Sequence, residues 1–589
     1  MFSWLNGERI GLRKIDNIYY YQAGEIFEPS KLNDIKRLYY ILKNRNFSNL
    51  KDTKGEFAFF IEDSENIYVF VDEIGTIKWY YYYDENNFFI SNNFWDIVKK
   101  LKPSIDDIDK KAIYEYILLN KAFDEKSFIK GIQHIKGGEV LIFNKVSKFL
   151  DRVSFTEINY NPSQLKERDV IEEIDFLFKK TIEKIREFNS NSKFGLTISG
   201  GLDSRFPLPY VKKDEVASTY LIGKKNGIFT PLDYDSAKEM ASLYGFKFKM
   251  IDPFSIDVLE KAMIDILRNP TPNSNIMKAL NYEKVFNKEF DVLLTGAYGG
   301  LIGGRVLDKS LLNFSSIEEF SYKMFEKYSL YALFEYYKDF NVFSPYKRHL
   351  NKLYSFFGIE KSRPYKEMID NFLSNNFLIK SEDKQRLFNN FKKHLETFQK
   401  GSNSNLTTVM RFHLSVHSIR GGFESLHGQV KAYSIYNPYV YNFSKNWPVE
   451  FLGGRRIMEI FLLKKYPELA KVPLQTWDLP LVYKYSDINL LLKIYLKNIY
   501  LAKFLIKRLA INYTTWWNTK EMKEFRNKIF SKESYFYEIL NKKDVLKINS
   551  ISQFTHLANN LLKIKLLIDS IETKNYKNFE DKFVFSGKY

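Results

Sequence analysis

Between residues 193 and 296 the chain repeats one pattern, and that pattern limits the fold more than any other feature. Short apolar and β-branched runs, "KFGLTIS", "EVASTYLIG", "FKFKMI" and "FDVLLTG", are separated by glycine-containing turns and by the helical stretch "YDSAKEMASLYG". Strand, turn, helix and strand in this order predict a doubly wound parallel sheet, because parallel neighbours need a crossover that is usually a helix. The ligand of such a sheet sits beyond the carboxyl ends of its strands. Two glycine clusters fall there, Ser199-Gly200-Gly201-Leu202-Asp203-Ser204 and Thr295-Gly296-Ala297-Tyr298-Gly299-Gly300.

The flanking regions read differently. Up to about residue 150, "NIYYYQAGEIF", "GEFAFFIEDSENIYVFVDEIG", "IKWYYYYDENNFFISN" and "GGEVLIFN" are strand-like runs broken by Gly, Asn and Asp. Helical patterns interrupt them at "SKLNDIKRLYYILKNR" and "IDKKAIYEYILLN", so a layered α/β unit is expected. The helix "VIEEIDFLFKKTIEKIREF" precedes the first parallel strand, and beyond residue 310 the pattern is helical. In the tail, Lys493, Lys497, Lys503, Lys507 and Arg508 form a basic stripe, read as the wet face of a docked helix rather than a membrane-surface helix.

The turn after "LTIS" predicts chemistry. Gly200 and Gly201 clear space for a bulky anion, Ser199 and Ser204 offer hydroxyls, and a helix expected after the turn would present its positive end. No lysine follows the glycines, so this is not the common Gly-Lys-Ser/Thr phosphate loop. Asp203 would repel a polyphosphate unless a cation lay between them, which points to Mg²⁺. Arg205 and Arg305, beside the two clusters, are further candidates for phosphate neutralisation.

Composition removes other classes. The 589 residues include no cysteine, which excludes disulfides, thiolate metal sites and a cysteine nucleophile. The net charge of +18 is lysine spread along the chain without a compact basic cluster, and nucleic acid is not an expected partner. The first residues lack the pattern of a signal peptide and no apolar run reaches the roughly 20 residues of a membrane span, so a cytoplasmic location is expected.

Ser-Gly-Gly-Leu-Asp-Ser after a strand resembles the pyrophosphate loop of the ATP pyrophosphatase superfamily, in its asparagine synthetase branch. The resemblance extends to Gly55, Phe57, Ala58, Phe59, Asp72, Gly75, Tyr80 and Tyr81, which match the Gly-x-Phe-Ala-Phe, Asp-x-x-Gly and paired-tyrosine pattern of that family's glutamine amidotransferase domain. "FFISNN", "FIKGIQHIKGGEVLIF", "YNPYVYNFSKNWPVEF" and "FLLKKYPELAKVPLQTWDLPL" are similar to later family segments. It implies an Ntn-hydrolase-like αββα sandwich over residues 1–160, an ATP pyrophosphatase domain over 161–481 and a helical extension over 482–589. It also implies ATP and Mg²⁺ as cofactors, with Ser199, Gly200, Gly201, Leu202, Asp203, Ser204, Arg205, Thr295 and Gly296 around the nucleotide and Asp203 on the metal. A small-molecule, glycan or peptide carboxylate would be adenylated and passed to an amine, and a homodimer is left open.

The chain departs from that pattern in several places. Phe2 stands where the family has its nucleophilic cysteine, and Ala23-Gly24-Glu25 replaces Asn-Gly-Glu, so the first unit is expected to be inactive. The second metal-binding aspartate is missing after Gly300. His413, His417, Arg420, Glu424 and His427 recur at helical spacing; Glu424 is a candidate general base, and zinc on His413 and His417 is a weaker alternative. The family glutamate near the Pro segment falls on Ser434, and Arg455 and Arg456 stand where the family has a catalytic lysine, an exchange that keeps charge but not proton donation. Beside the ligase reading stand a nucleotide-binding scaffold and a nucleic-acid-modifying pyrophosphatase.

Overall fold

A computed structural model of the chain describes residues 12–92, 94–156, 158–222, 231–251, 289–297, 299, 312–333, 365–420, 431–436, 438–452, 455–474, 480–484, 520–550 and 555–574. It is a mixed α/β structure with two antiparallel sheets and one parallel sheet.

The described residues from 12 to 154 build four layers. β1 (Arg13–Ile15), β2 (Ile18–Glu28), β3 (Lys54–Glu62), β4 (Asn66–Val71), β8 (Glu139–Asn144) and β9 (Leu150–Ser154) form a six-stranded antiparallel sheet in that order. β5 (Tyr80–Tyr83) pairs antiparallel with β6 (Phe88–Ser91) and β7 (Ile132–His134) in a smaller sheet. Period-two alternation decides the layering. Phe57, Phe59 and Ile61 face one way, onto Leu38, Tyr39 and Leu42 of the helix Ile35–Lys43. Ala58 and Phe60 face the other way, onto Trp79, Tyr81, Phe88 and Ile90 of the small sheet. Beyond that sheet, Tyr80 and Phe89 join Phe94, Trp95, Ile113 and Tyr116 of the helices Phe94–Leu101 and Lys110–Leu119.

The third sheet is parallel throughout. β10 (Phe194–Thr197), β11 (Val216–Ile222), β12 (Phe248–Ile251), β13 (Val292–Thr295) and β14 (Lys431–Ser434) lie in the order β12-β11-β10-β13-β14. The order reverses between β10 and β13, so the turns leaving those two strands flank the switch point at which such sheets bind ligands. β14 interrupts the region expected to be helical only.

One expected element is missing. The turn after β10 leads into two single 3₁₀ turns, Asp203–Arg205 and Leu208–Tyr210, and not into an α-helix. Pro207 and Pro209 account for this, since each removes a donor and its ring obstructs a helical ladder. The expected positive helix end behind Gly200 and Gly201 is therefore absent.

The carboxyl-terminal helix Thr555–Glu572 packs on the first unit, where Tyr116 Oη donates to Asn560 Oδ1 at 3.2 Å and Asn560 Nδ2 donates to Asn120 Oδ1 at 3.2 Å. The basic stripe Lys493–Arg508 lies outside the described residues. Among the described residues no helix is long and apolar enough to cross a membrane.

Candidate functional site

The turn after β10 is closed by its own serines. Ser199 N donates to Ser204 Oγ at 3.0 Å, Ser204 Oγ donates to the Ser199 carbonyl at 3.1 Å, and Gly201 N donates to Ser199 Oγ at 3.2 Å. These hydroxyls hold the shape of the turn. Leu202 is buried in the core beneath it.

Arg205 does not face the ligand side. It is fully buried, and its Nε–H donates to the Gly201 carbonyl at 3.0 Å. Nη1 donates to Leu469 and Val472 at 2.7 and 2.8 Å, and Nη2 to Gly200 and Pro473 at 3.1 and 2.6 Å. A guanidinium has five N–H groups, and here all are taken by carbonyls. Burial lowers its pKa, but that donor pattern favours the charged form. The expectation that Arg205 contacts phosphate is corrected on this ground: it ties the turn to the segment Leu469–Pro473.

Gly296 and Gly299 of the second cluster are explained by close packing. A Cβ on Gly296 would stand 2.3 Å from the Asp203 carbonyl oxygen, and one on Gly299 would stand 2.6 Å from the Asp203 carboxylate. Thr295, buried at the end of β13, accepts the Ala297 N–H on its Oγ1 at 3.2 Å. Ser434 Oγ donates to the Ala297 carbonyl. Gly296 and Thr295 thus shape the floor under Asp203.

Asp203 and Arg455 meet across 252 positions of sequence, with Arg455 Nη2 donating to Asp203 Oδ2 at 2.7 Å. Arg455 has φ 64° and ψ 13°, a left-handed conformation unusual outside glycine, and it stands immediately before the helix Arg456–Lys465. Arg456 is exposed at the start of that helix. Tyr436, two residues after β14, is fully buried between Phe178 and Phe206, at ring distances of 5.4 and 5.7 Å. Burial first, then the Asp203 carboxylate, push its hydroxyl pKa well up. Among the described residues, neither Tyr436 Oη nor Arg455 Nε has a hydrogen-bond partner. Sequence reading missed Tyr436, whose only signal was its place two residues before Pro438.

A resident Mg²⁺ does not fit the described donor set. Asp203 is the one carboxylate at the turn among the described residues, and a guanidinium already occupies one of its oxygens. No group of three or more His, Asp or Glu side chains placed to hold a metal occurs among them. The expected Mg²⁺, held by Asp203 together with phosphates and water, would need only this one carboxylate from the chain.

Other expected residues lie elsewhere. Glu424, His427 and Arg305 are outside the described residues, as are the side chains of His417 and Arg420. His413 is buried in the helix Asn405–Arg420 beside Phe412. In the first unit Asp72 is fully buried, and its carboxylate accepts from the backbone N–H groups of Phe57, Ile74, Gly75 and Thr76 and from Thr76 Oγ1. Burial pushes its carboxyl up to about 6 against those bonds. The Asp-x-x-Gly match is a turn-closing device, with the turn positioned by its carboxylate.

No protein-family model matches the chain, and no curated protein matches it in sequence. Among solved structures, the chain is similar in part to a glutamine phosphoribosylpyrophosphate amidotransferase from B. subtilis complexed with ADP and GMP, at 9% identity and a TM-score of 0.17. That match covers 54% of this chain and 61% of the other. A second, described as the allosteric regulatory enzyme of purine biosynthesis, is 10% identical with a TM-score of 0.17, over 54% of this chain and 60% of that one. The chain thus spans less than two thirds of either neighbour, and at such scores nothing about its activity follows.

Proposed function

We propose that the protein is an ATP-dependent amide-forming ligase of asparagine synthetase type. A substrate carboxylate oxygen attacks the α-phosphorus of ATP, the bond to the bridging oxygen breaks, and pyrophosphate leaves with that oxygen. An amine then attacks the acyl-adenylate, AMP departs, and the amine proton passes to solvent or a base. With no cysteine in the chain, the nitrogen comes from ammonia or from an amine in the substrate.

The observation that carries this reading is the meeting of Ser199–Ser204 with Gly296 and Gly299 at the switch point of a parallel sheet, with a guanidinium drawn in at Asp203. Ligand placement at such points is general for this architecture. Arg455 supplies charge where negative charge develops on the departing phosphates. The test is ATP–pyrophosphate exchange driven by a panel of small-molecule, glycan and peptide carboxylates, with magnesium supplied on the nucleotide. Label should enter ATP only with a substrate present, and a chain that binds ATP without exchange under any carboxylate ends the ligase reading.

A second reading has its own observation. Asp203 is occupied by Arg455 and the donors of Arg205 are filled, a pattern that suits a nucleotide-binding scaffold without turnover. ATP binding with no exchange would select it.

A further inference from the structure

We propose that Arg455 is a displaceable latch, whose guanidinium keeps the Asp203 carboxylate closed to a divalent cation until a metal-bearing nucleotide displaces it. The inference deepens the ligase reading by naming a regulation of the same site, and it rests on that reading for the nucleotide.

The two arginines at the turn differ in how well they are satisfied. Arg205 is fully buried and donates five hydrogen bonds to carbonyls, as a permanent tie should. Arg455 donates one among the described residues, from Nη2 to Asp203 Oδ2 at 2.7 Å, and its Nε–H is buried with no partner among them. A buried donor without an acceptor is rare in a settled structure. The Arg455 side chain is 12% exposed and that of Asp203 26%, so solvent and solutes reach the pair from outside.

The backbone agrees. Arg455 sits at φ 64° and ψ 13°, a conformation that an L side chain holds only at a cost, and it gives the following helix Arg456–Lys465 no side-chain cap. Gly453 and Gly454 stand immediately before it in sequence, the residue type that most readily takes up a change of φ and ψ. Asp203, by contrast, belongs to the turn closed by Ser199 and Ser204 and packs on Gly296, where a Cβ would stand 2.3 Å from its carbonyl oxygen. The arginine is therefore the partner that moves. A divalent cation attracts the carboxylate with twice the charge of a guanidinium, and phosphates and water supply its remaining ligands. The latch thus reconciles a single turn carboxylate that is already occupied with a metal that arrives on its substrate.

The experiment is calorimetric titration of the full chain with ATP, once in EDTA and once with magnesium. The ratio of the two dissociation constants gives the metal's share of the affinity, and any direct contact of Arg455 with phosphate enters both arms. A latch closed about nine-tenths of the time hides about tenfold of that share. Arg455→Met should raise the ratio by about that factor. Arg455→Gln, which keeps a polar end without the charge, should raise it too and carries the test if the Met variant does not fold by circular dichroism. Asp203→Asn added to either variant should cancel the gain, because the carboxylate is gone. A ratio that the Arg455 variants leave unchanged or lower overturns the latch, and carboxylate-driven exchange by the wild type then leaves the ligase standing. A raised ratio with no exchange on any carboxylate keeps the latch and removes the ligase, and ATP binding absent from every variant removes both.

Discussion

Glu56 of β3 accepts the backbone N–H of Ser434 on its Oε1 at 2.8 Å, so a buried side chain of the antiparallel unit caps the outer edge of the parallel sheet. Ser434 ends β14, the last strand on that side among the described residues, and an open strand edge is a site for unwanted pairing. Nearby, Lys445 Nζ bonds Glu73 Oε1 at 2.5 Å, a second tie between the units. The first unit therefore has a structural task that does not depend on glutamine hydrolysis. Glu56→Ala should leave the Ser434 N–H buried and unsatisfied, at a cost of about 1–3 kcal/mol. Glu56→Gln, which keeps the acceptor, should lose less; equal urea midpoints for the two variants would contradict the edge role.

Arg205 gives a sharper stability prediction. Arg205→Met removes the donor of five carbonyls, two in the turn and three in Leu469–Pro473. Breaking such a buried charged network costs about 3–5 kcal/mol. Arg205→Lys keeps the charge but has at most three donors without the fork, and should fall between wild type and Arg205→Met. Urea denaturation followed by tryptophan fluorescence reads both.

The two glycines under Asp203 should respond differently to alanine. Gly296→Ala drives a Cβ against backbone, the Asp203 carbonyl oxygen and the Ser204 nitrogen at 2.3 and 2.7 Å. Backbone cannot swing aside, so a stability loss of about 1–3 kcal/mol is expected. Gly299→Ala meets the end of the Asp203 side chain at 2.6 Å, which can turn away. It should cost less stability but disturb the Asp203–Arg455 pair, and so alter the magnesium dependence of ATP binding more than Gly296→Ala does. Equal effects of both changes on both measurements would show that the turns do not pack in this way.

The parts of the fold that could be read in the sequence were those set by local pattern. The strand-like run "GEFAFFIE" is β3, and the apolar runs before Ser199 and Gly296 are β10 and β13. The absence of a helix after the turn was also written locally, in Pro207 and Pro209, but the glycine motif outweighed them in the reading. β14 is four residues with no distinctive pattern, and only its partner β13 makes it a strand. At the site, the serines and glycines were found while their tasks were not. Those tasks depend on partners far along the chain: Leu469 for Arg205, 264 positions away, and Arg455 for Asp203, 252 positions away. A motif identifies residues that come close together; whether a carboxylate there meets a metal or a guanidinium is decided by tertiary packing.

Lys78 gives the pH-dependent prediction. It precedes β5, is almost fully buried, and its Nζ has no hydrogen-bond partner among the described residues. Burial lowers its pKa from 10.5 to about 8, against the opposing pull of Asp72 and Glu125. Between those two values the unfolded chain binds the proton more than the folded one does, so stability rises with pH across that window. Below about pH 8 the folded state bears the full cost of a buried ammonium. Replacing it with Met keeps the apolar stem and removes the charge. Lys78→Met should therefore raise stability at pH 7 by roughly 1–3 kcal/mol, each pKa unit being worth about 1.4 kcal/mol. It should also abolish the wild-type rise between pH 8 and 10.5, because the titrating group is gone. Urea midpoints of both proteins at pH 7, 9 and 10.5 decide the matter, and a Met variant less stable than wild type at pH 7 would show that the ammonium is stabilised where it sits.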